Sequence, residues 1–163
     1  MKFTKIEADL FAQDHKYALA HCIAEDARMG AGIATQFVKR YPTMRTDLQA
    51  QQPKTGQVIP FTETGKSLVL NMITKKRSSG KPTRQDFNTT VNALKVYMLQ
   101  QGLTHLAIPL IGAGLDQLDW SESEEYIREV FKDTDIEILL CLTADSKRIH
   151  DSSWERFYRV GGI

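Results

Sequence analysis

Lys75 is the residue of this chain whose type and setting best suit it to form a covalent bond. It lies in Thr74-Lys75-Lys76-Arg77, directly after the apolar run that starts at Ser67. A lysine leaving a buried strand is partly desolvated, which disfavours the charged form and frees the amine as a nucleophile. The same Lys-Lys-Arg run also suits a solvated turn or a general phosphate patch. Asp116 ends the run Gly112-Ala113-Gly114-Leu115-Asp116. If that loop cradles phosphate, Asp116 lies near the sugar beyond it; otherwise it is a helix cap or a solvated loop acid. Asp9, in Ala8-Asp9-Leu10-Phe11, closes the first strand-like run. A carboxylate there either accepts a hydrogen bond from an adenine amino group or caps the strand-to-loop turn.

Two loops must position these groups. Gly-Ala-Gly occurs at Gly30-Ala31-Gly32 and again at Gly112-Ala113-Gly114, each time after an apolar run. Glycine lets the backbone approach a ligand closely, and N–H groups at a loop or helix start bind anions. Two such loops in one small domain fit a diphosphate held between them. The first is not a dinucleotide fingerprint, because Thr35 stands where the third glycine belongs. The four histidines, His15, His21, His105 and His150, are scattered and have no ligand spacing. Hydrolase elbow, Walker and zinc motifs are absent from the sequence.

Strand-like runs cover Thr4 to Leu10, Tyr17 to Ile23, Gln57 to Phe61, Ser67 to Thr74, His105 to Ile111 and Ile136 to Leu142. Thr62-Glu63-Thr64-Gly65-Lys66 joins two of them at hairpin length. Helical spacing links Ile33, Phe37 and Tyr41, and a more polar helix runs from Thr43 to Gln52. Pro82-Thr83 opens a long helix with Phe87, Val91, Leu94 and Met98 on one face and Gly102 as its stop. Ser121 and Glu124 read as a capping box ahead of Ile127, Val130 and Phe131. Trp154, Phe157 and Tyr158 predict a short final helix packed on the body. Alternating strands and helices predict an α/β fold whose sheet is covered on both faces, and the hairpin makes that sheet mixed.

With 163 residues, 42% of them hydrophobic and 25% charged, the chain has the composition of one ordinary globular domain. A net charge of +1 provides no global field for nucleic acid or membrane. The apolar runs fall short of the roughly 20 residues that a membrane span needs. Cys22 and Cys141 both lie in strand-like runs and read as two buried free thiols, which implies a reducing, cytoplasmic setting.

Taken together and in order, Ala8 to Phe11, Ala20 to Ala34, Ile73 to Arg77, Lys81-Pro82-Thr83 and Pro109 to Asp116 resemble the macrodomain family, in the branch of the terminal ADP-ribose glycohydrolases. The resemblance spans about residues 6–142. It implies a single three-layer α/β/α macrodomain with a central mixed sheet, residues 143–163 being an extension packed on it. It implies Lys75 as nucleophile and Asp116 as its partner. The ligand-binding set carried over is Asp9 and Leu10 with His21 and Ile23; Arg28, Met29, Gly30, Ala31, Gly32 and Ile33; Thr74; and Pro109, Gly112, Ala113, Gly114 and Leu115. Asp9 takes the adenine, and the two glycine loops take the diphosphate and distal ribose. The chain departs from its relatives at Ala24 for a serine, Ala113 for a cysteine and Leu110 for an arginine.

The activity implied is removal of ADP-ribose from modified Asp or Glu in proteins, or from modified DNA bases, by a monomer without metal or organic cofactor. A DNA substrate predicts a basic rim from Lys75-Lys76-Arg77, Lys81 and Arg84. Two other readings are a module that holds ADP-ribose without cleaving it and a deacetylase of O-acetyl-ADP-ribose. Retention of both Lys75 and Asp116 argues against the first, since a reader needs neither.

Overall fold

The computed structural model describes residues 1–160; residues 161–163, the end of the expected extension, lie outside the described residues. Six strands form one sheet: β1 (Lys2–Glu7), β2 (Ala18–Ala24), β3 (Val58–Phe61), β4 (Val69–Lys75), β5 (His105–Ile108) and β6 (Glu137–Leu142). Their spatial order is β1-β6-β5-β2-β4-β3, parallel throughout except for the β3–β4 hairpin. The predicted mixed sheet is therefore present.

Both faces are covered, and the alternation along β2 shows how. Ala18 and Ala20 pack on one face with Phe87, Val91, Leu94 and Met98 of α3 (Arg84–Gln100) and with Trp120, Ile127 and Phe131 of α4 (Trp120–Phe131). Leu19 and Ile23 pack on the other with Phe37 of α1 (Ile33–Arg40) and Met44 and Leu48 of α2 (Met44–Gln51). Each fully buried Val, Leu, Ile, Phe or Met side chain among these stabilises the fold by about 1.5–3 kcal/mol. The two helical layers with the sheet between them make the three-layer α/β/α architecture.

Several element bounds differ from the sequence reading for local reasons. The first strand stops at Glu7, because Asp9 Oδ1 accepts from Phe11 N–H at 2.9 Å and opens a helical turn over Leu10–Ala12. The fifth stops at Ile108, next to Pro109, which has no N–H to offer a ladder. The capping box expected at Ser121 and Glu124 does not form. Asp119 is the N-cap, accepting from Glu122 N–H, while Ser121 and Glu124 are buried. A capping box exists instead at Thr143 and Ser146, opening α5 (Ala144–Arg159).

α5 is a 16-residue helix rather than a short one. A buried carboxylate anchors it: Glu124 receives Lys5 Nζ at 2.8 Å, Arg128 Nε at 3.0 Å, Trp120 Nε1 at 3.1 Å and Trp154 Nε1 at 3.3 Å. Burial pushes the Glu124 carboxyl up, and these cations and donors more than reverse that, holding it below its usual range. Trp154 packs on the body as expected, but Tyr158 is exposed. Among the described residues, no helix is long and apolar enough to cross a membrane.

Candidate active site

The sheet topology creates a crevice between β2 and β5. β2 runs into α1 on one face, and β5 leads towards α4 on the other. Only Ala18↔Leu106 and Leu19↔Ala107 pair these strands, so their carboxyl ends are not tied together. Such a reversal is where open α/β sheets bind ligands. A cleft of about 820 Å³ opens there, with both glycine loops in its wall. Its size suits a nucleotide-like ligand.

The first loop is strained. Ala27 and Met29 are buried with φ of 45° and 53°, in the left-handed region that side chains disfavour. Gly32 follows at φ 60° as the N-cap of α1, and no side chain caps that helix. No side chain therefore competes with an anion for its first N–H groups, of which the Thr35 N–H already donates to the Gly32 carbonyl at 3.2 Å. In the second loop Gly112 has φ 74°, and a Cβ there would lie 2.7 Å from the Phe87 ring. Glycine is the one residue that fits this turn.

Lys75 reaches the cleft through a bulge. Ile23 pairs with Ile73 but Ala24 pairs with Lys75, so Thr74 is an extra residue in β4. A bulge of this kind re-aims the side chain beside it. Glu25 N–H donates to the Lys75 carbonyl at 2.9 Å and fixes the bulged end. The Lys75 ammonium then donates to Asp116 Oδ1 at 2.7 Å, Gly80 O at 3.0 Å and Ser78 O at 3.3 Å. Both members of the ion pair are largely buried, with side chains 13% and 14% exposed. An amine held against a carboxylate can hand a proton to it and act as a nucleophile.

Most of the residues expected to bind ligand do line the cleft, from Asp9 and Leu10 at one end to Lys75 and Asp116 at the other. Asp9 both faces the cleft and caps its own turn. His21 belongs to the wall, but its side chain is wholly buried, stacked on Phe37 and 2.7 Å from Asn71 Oδ1. Burial lowers its pKa to about 4, against the opposing Asn71 hydrogen bond. Arg28 and Thr74 do not line the cleft: Arg28 is exposed outside it, and Thr74 is buried in the bulge.

Other groups were missed. Ser78 and Ser79 line the cleft; so does Lys81, which was expected only on a basic rim and whose Nζ donates to the Leu115 carbonyl. Thr143, Ser146 and Ile149 of the extension line the cleft, so it does more than pack. The β1–β6 register accounts for this: Ala8 N–H donates to Leu142 O at 3.2 Å, which sets Asp9 beside the start of α5. Both cysteines are free and also line the cleft; Cys141 is buried and Cys22 half-buried. Burial first, and then the Asp116 charge, push the Cys22 thiol up; burial and Asp9 raise Cys141 to about 11.

Solved structures share this architecture. The macrodomain of Mycobacterium tuberculosis DarG superposes with a TM-score of 0.78 over 85% of this chain and 96% of that one, at 24% identity. Thermosipho africanus DarTG in complex with ADP-ribose superposes with a TM-score of 0.78, at 16% identity, over 88% of this chain and 42% of that one. The fold is thus that of a macrodomain. In sequence, the human ADP-ribose glycohydrolase OARD1 is 43% identical over 137 residues, 84% of this chain and 89% of the relative, and the Bos taurus protein is 42% identical over the same shares. No protein-family model matches the chain. The chain belongs to the macrodomain family, in its ADP-ribose glycohydrolase branch.

Proposed function

We propose that this chain is an ADP-ribosyl glycohydrolase in which Lys75 is the nucleophile and Asp116 its proton partner. The observation that carries the reading is the 2.7 Å contact of Lys75 Nζ with Asp116 Oδ1, inside the cleft that both glycine loops flank. An ammonium has three hydrogens and no lone pair. Here they go to Asp116, Ser78 O and Gly80 O, and of these only the carboxylate takes up a proton. Passing one proton to Asp116 leaves two N–H groups on the carbonyls and a lone pair on Nζ, which C1″ takes in place of the Asp116 hydroxyl.

ADP-ribose laid from Asp9, with its diphosphate between the loops, brings C1″ of the distal ribose to that lone pair. The Nζ–C1″ bond forms as the C1″–O bond to the modified carboxyl breaks, and the electron pair leaves with the carboxylate. Water then adds to C1″ as the Nζ–C1″ bond breaks and its electron pair returns to Nζ. The water's spare proton goes to the released carboxylate or to solvent, and Asp116 returns its proton to the amine. N–H groups at the start of α1 and in the loops fix the diphosphate and so the approach of C1″.

A carboxyl ester in a protein is the substrate this surface supports best. Of the cations that a DNA rim would use, Arg84 donates to Ser123 Oγ and Asp119 O and lies 3.4 Å from Glu122. Lys75 and Lys81 are engaged within the site, which leaves Lys76 and Arg77 exposed. The two free thiols in the cleft wall support a reducing, cytoplasmic setting. The test compares release of ADP-ribose from an ADP-ribosyl-glutamate protein and from ADP-ribosyl-thymidine DNA. Faster release from the protein is expected. Release from DNA alone would reassign the substrate, and tight ADP-ribose binding with no release from either would make the chain a reader.

A further inference from the structure

We propose that Asp26 is a positioning residue for the Lys75 amine, acting through Ser78; this rests on the glycohydrolase reading. Asp26 follows β2 and does not line the cleft. Its two oxygens reach across to the loop after β4. Oδ2 accepts from Ser78 N–H at 2.9 Å and Oδ1 from Ser78 Oγ at 2.5 Å. The Arg28 N–H, donating to Oδ1 at 3.1 Å, fixes the carboxylate from its own loop. Hydrogen bonds to a charged acceptor are about twice as strong as neutral ones.

The grip on Ser78 aims the Ser78 carbonyl, which receives Lys75 Nζ at 3.3 Å. The adjacent Glu25 holds the Lys75 backbone through its N–H. Two consecutive residues of the β2 loop thus hold the lysine, Glu25 by its backbone and Asp26 by its side-chain head. The Gly80 carbonyl, the amine's other neutral acceptor, ends a turn closed by Gly80 N–H on Arg77 O at 2.9 Å. Once the amine has given its proton to Asp116, its two remaining N–H groups rest on these two carbonyls, which thereby set where its lone pair points. Freeing Ser78 lets that direction wander, and small misalignments at a reacting atom cost rate rather than binding.

Asp26→Asn is the sharpest test. An amide keeps one acceptor oxygen. With that oxygen on the Ser78 N–H, its NH2 takes the place of Oδ1 and sets a donor against the Arg28 N–H, and the reverse placement sets it against the Ser78 N–H. With an ADP-ribosyl-glutamate protein as substrate, kcat is expected to fall about tenfold, while KM and the Kd for ADP-ribose stay within twofold. Formation of the lysyl adduct, followed by mass spectrometry in a single turnover, should slow by the same factor. Ser78→Ala deletes only the Oγ donor; a drop of about threefold is expected, and no further drop when it is combined with Asp26→Asn. An unchanged kcat in Asp26→Asn would overturn the proposal, as would a parallel rise in KM and Kd, which would indicate a disordered loop. If Asp26→Asn does not fold, an unchanged kcat in Ser78→Ala overturns it equally. Lys75→Ala, assayed alongside, separates the two ideas. Full activity there removes the glycohydrolase reading itself, whereas a dead Lys75→Ala beside a fully active Asp26→Asn removes only the positioning role.

Discussion

The two ends of the cleft are built to different standards. At the Lys75 end, three segments converge: the loop after β2 grips Ser78, the loop after β4 supplies two carbonyls, and the loop after β5 supplies Asp116. Backbone strain at Ala27 and Met29 and a glycine with no room for a Cβ lie in the same loops. At the Asp9 end, the carboxylate is exposed, Ile149 is 40% exposed, and α5 forms the wall. On the proposed reading the first end holds a nucleophile, which must be aimed to within a fraction of an ångström, and the second a purine, which needs only a surface and a hydrogen-bond partner. The contrast predicts that changes at the first end cost rate or folding, and changes at the second cost a little affinity.

The largest break is Lys75→Ala. Its kcat on an ADP-ribosyl-glutamate protein should fall on the order of 10³-fold or more, while calorimetry with ADP-ribose gives a Kd within a few-fold of wild type. A variant that cleaved at the wild-type rate would erase the distinction between the two ends. Next comes Gly112→Ala. The new methyl would meet Phe87 at 2.7 Å with φ at 74°, so overpacking and backbone strain should together cost about 2–4 kcal/mol. Gly114 has φ 67° but nothing within 4 Å of a Cβ, so Gly114→Ala should cost about 1–2 kcal/mol. Urea denaturation of the pair checks the order, and equal losses would show that the Phe87 contact does not matter.

His21 sharpens the comparison through pH. Its pKa is about 4 in the folded protein and about 6.5 in the unfolded chain. Above pH 6.5 both states are neutral and the fold keeps its full stability. As pH falls towards 4, the unfolded chain takes a proton that the native state refuses, so stability declines across that window. The loss should approach about 3 kcal/mol. His21→Leu should flatten the slope of stability against pH between 6.5 and 4. An unchanged slope in the variant would mean that other groups carry it.

Most of the Lys75 end was legible in the sequence, because its signals are local. A lysine at a strand end, an aspartate behind a glycine loop and paired Gly-Ala-Gly runs all sit in short windows. The layered fold was legible too, since strand and helix periods alternate cleanly along the chain. What escaped depends on residues distant in sequence. The Asp26–Ser78 contact joins positions 52 apart, and nothing in Glu25-Asp26 alone marks it. Ser121 and Glu124 have the spacing of a capping box, but Asp119 caps instead, and burying Glu124 serves Lys5, Arg128 and two tryptophans. The extension was read from its aromatic residues, whereas the face that meets the cleft carries Thr143, Ser146 and Ile149, too ordinary a set to stand out.

That face gives the smallest expected effect. Ile149 is an exposed aliphatic side chain in the cleft wall, on a helix whose start lies beside Asp9. The Ser146 hydroxyl is committed to the capping box, receiving the Thr143 N–H at 2.8 Å and donating to the Thr143 carbonyl at 3.3 Å. Ile149 has no such commitment, and covering its exposed part returns only a fraction of the burial of a whole isoleucine. Ile149→Ala should therefore raise KM and the ADP-ribose Kd about threefold while leaving kcat unchanged. Tyr158→Ala, on the same helix but outside the cleft wall, should change neither. A fall in kcat in Ile149→Ala would mean that α5 reaches the chemistry and that the two ends are not separable. No change in either constant would place the purine away from α5, leaving Asp9 to hold that end.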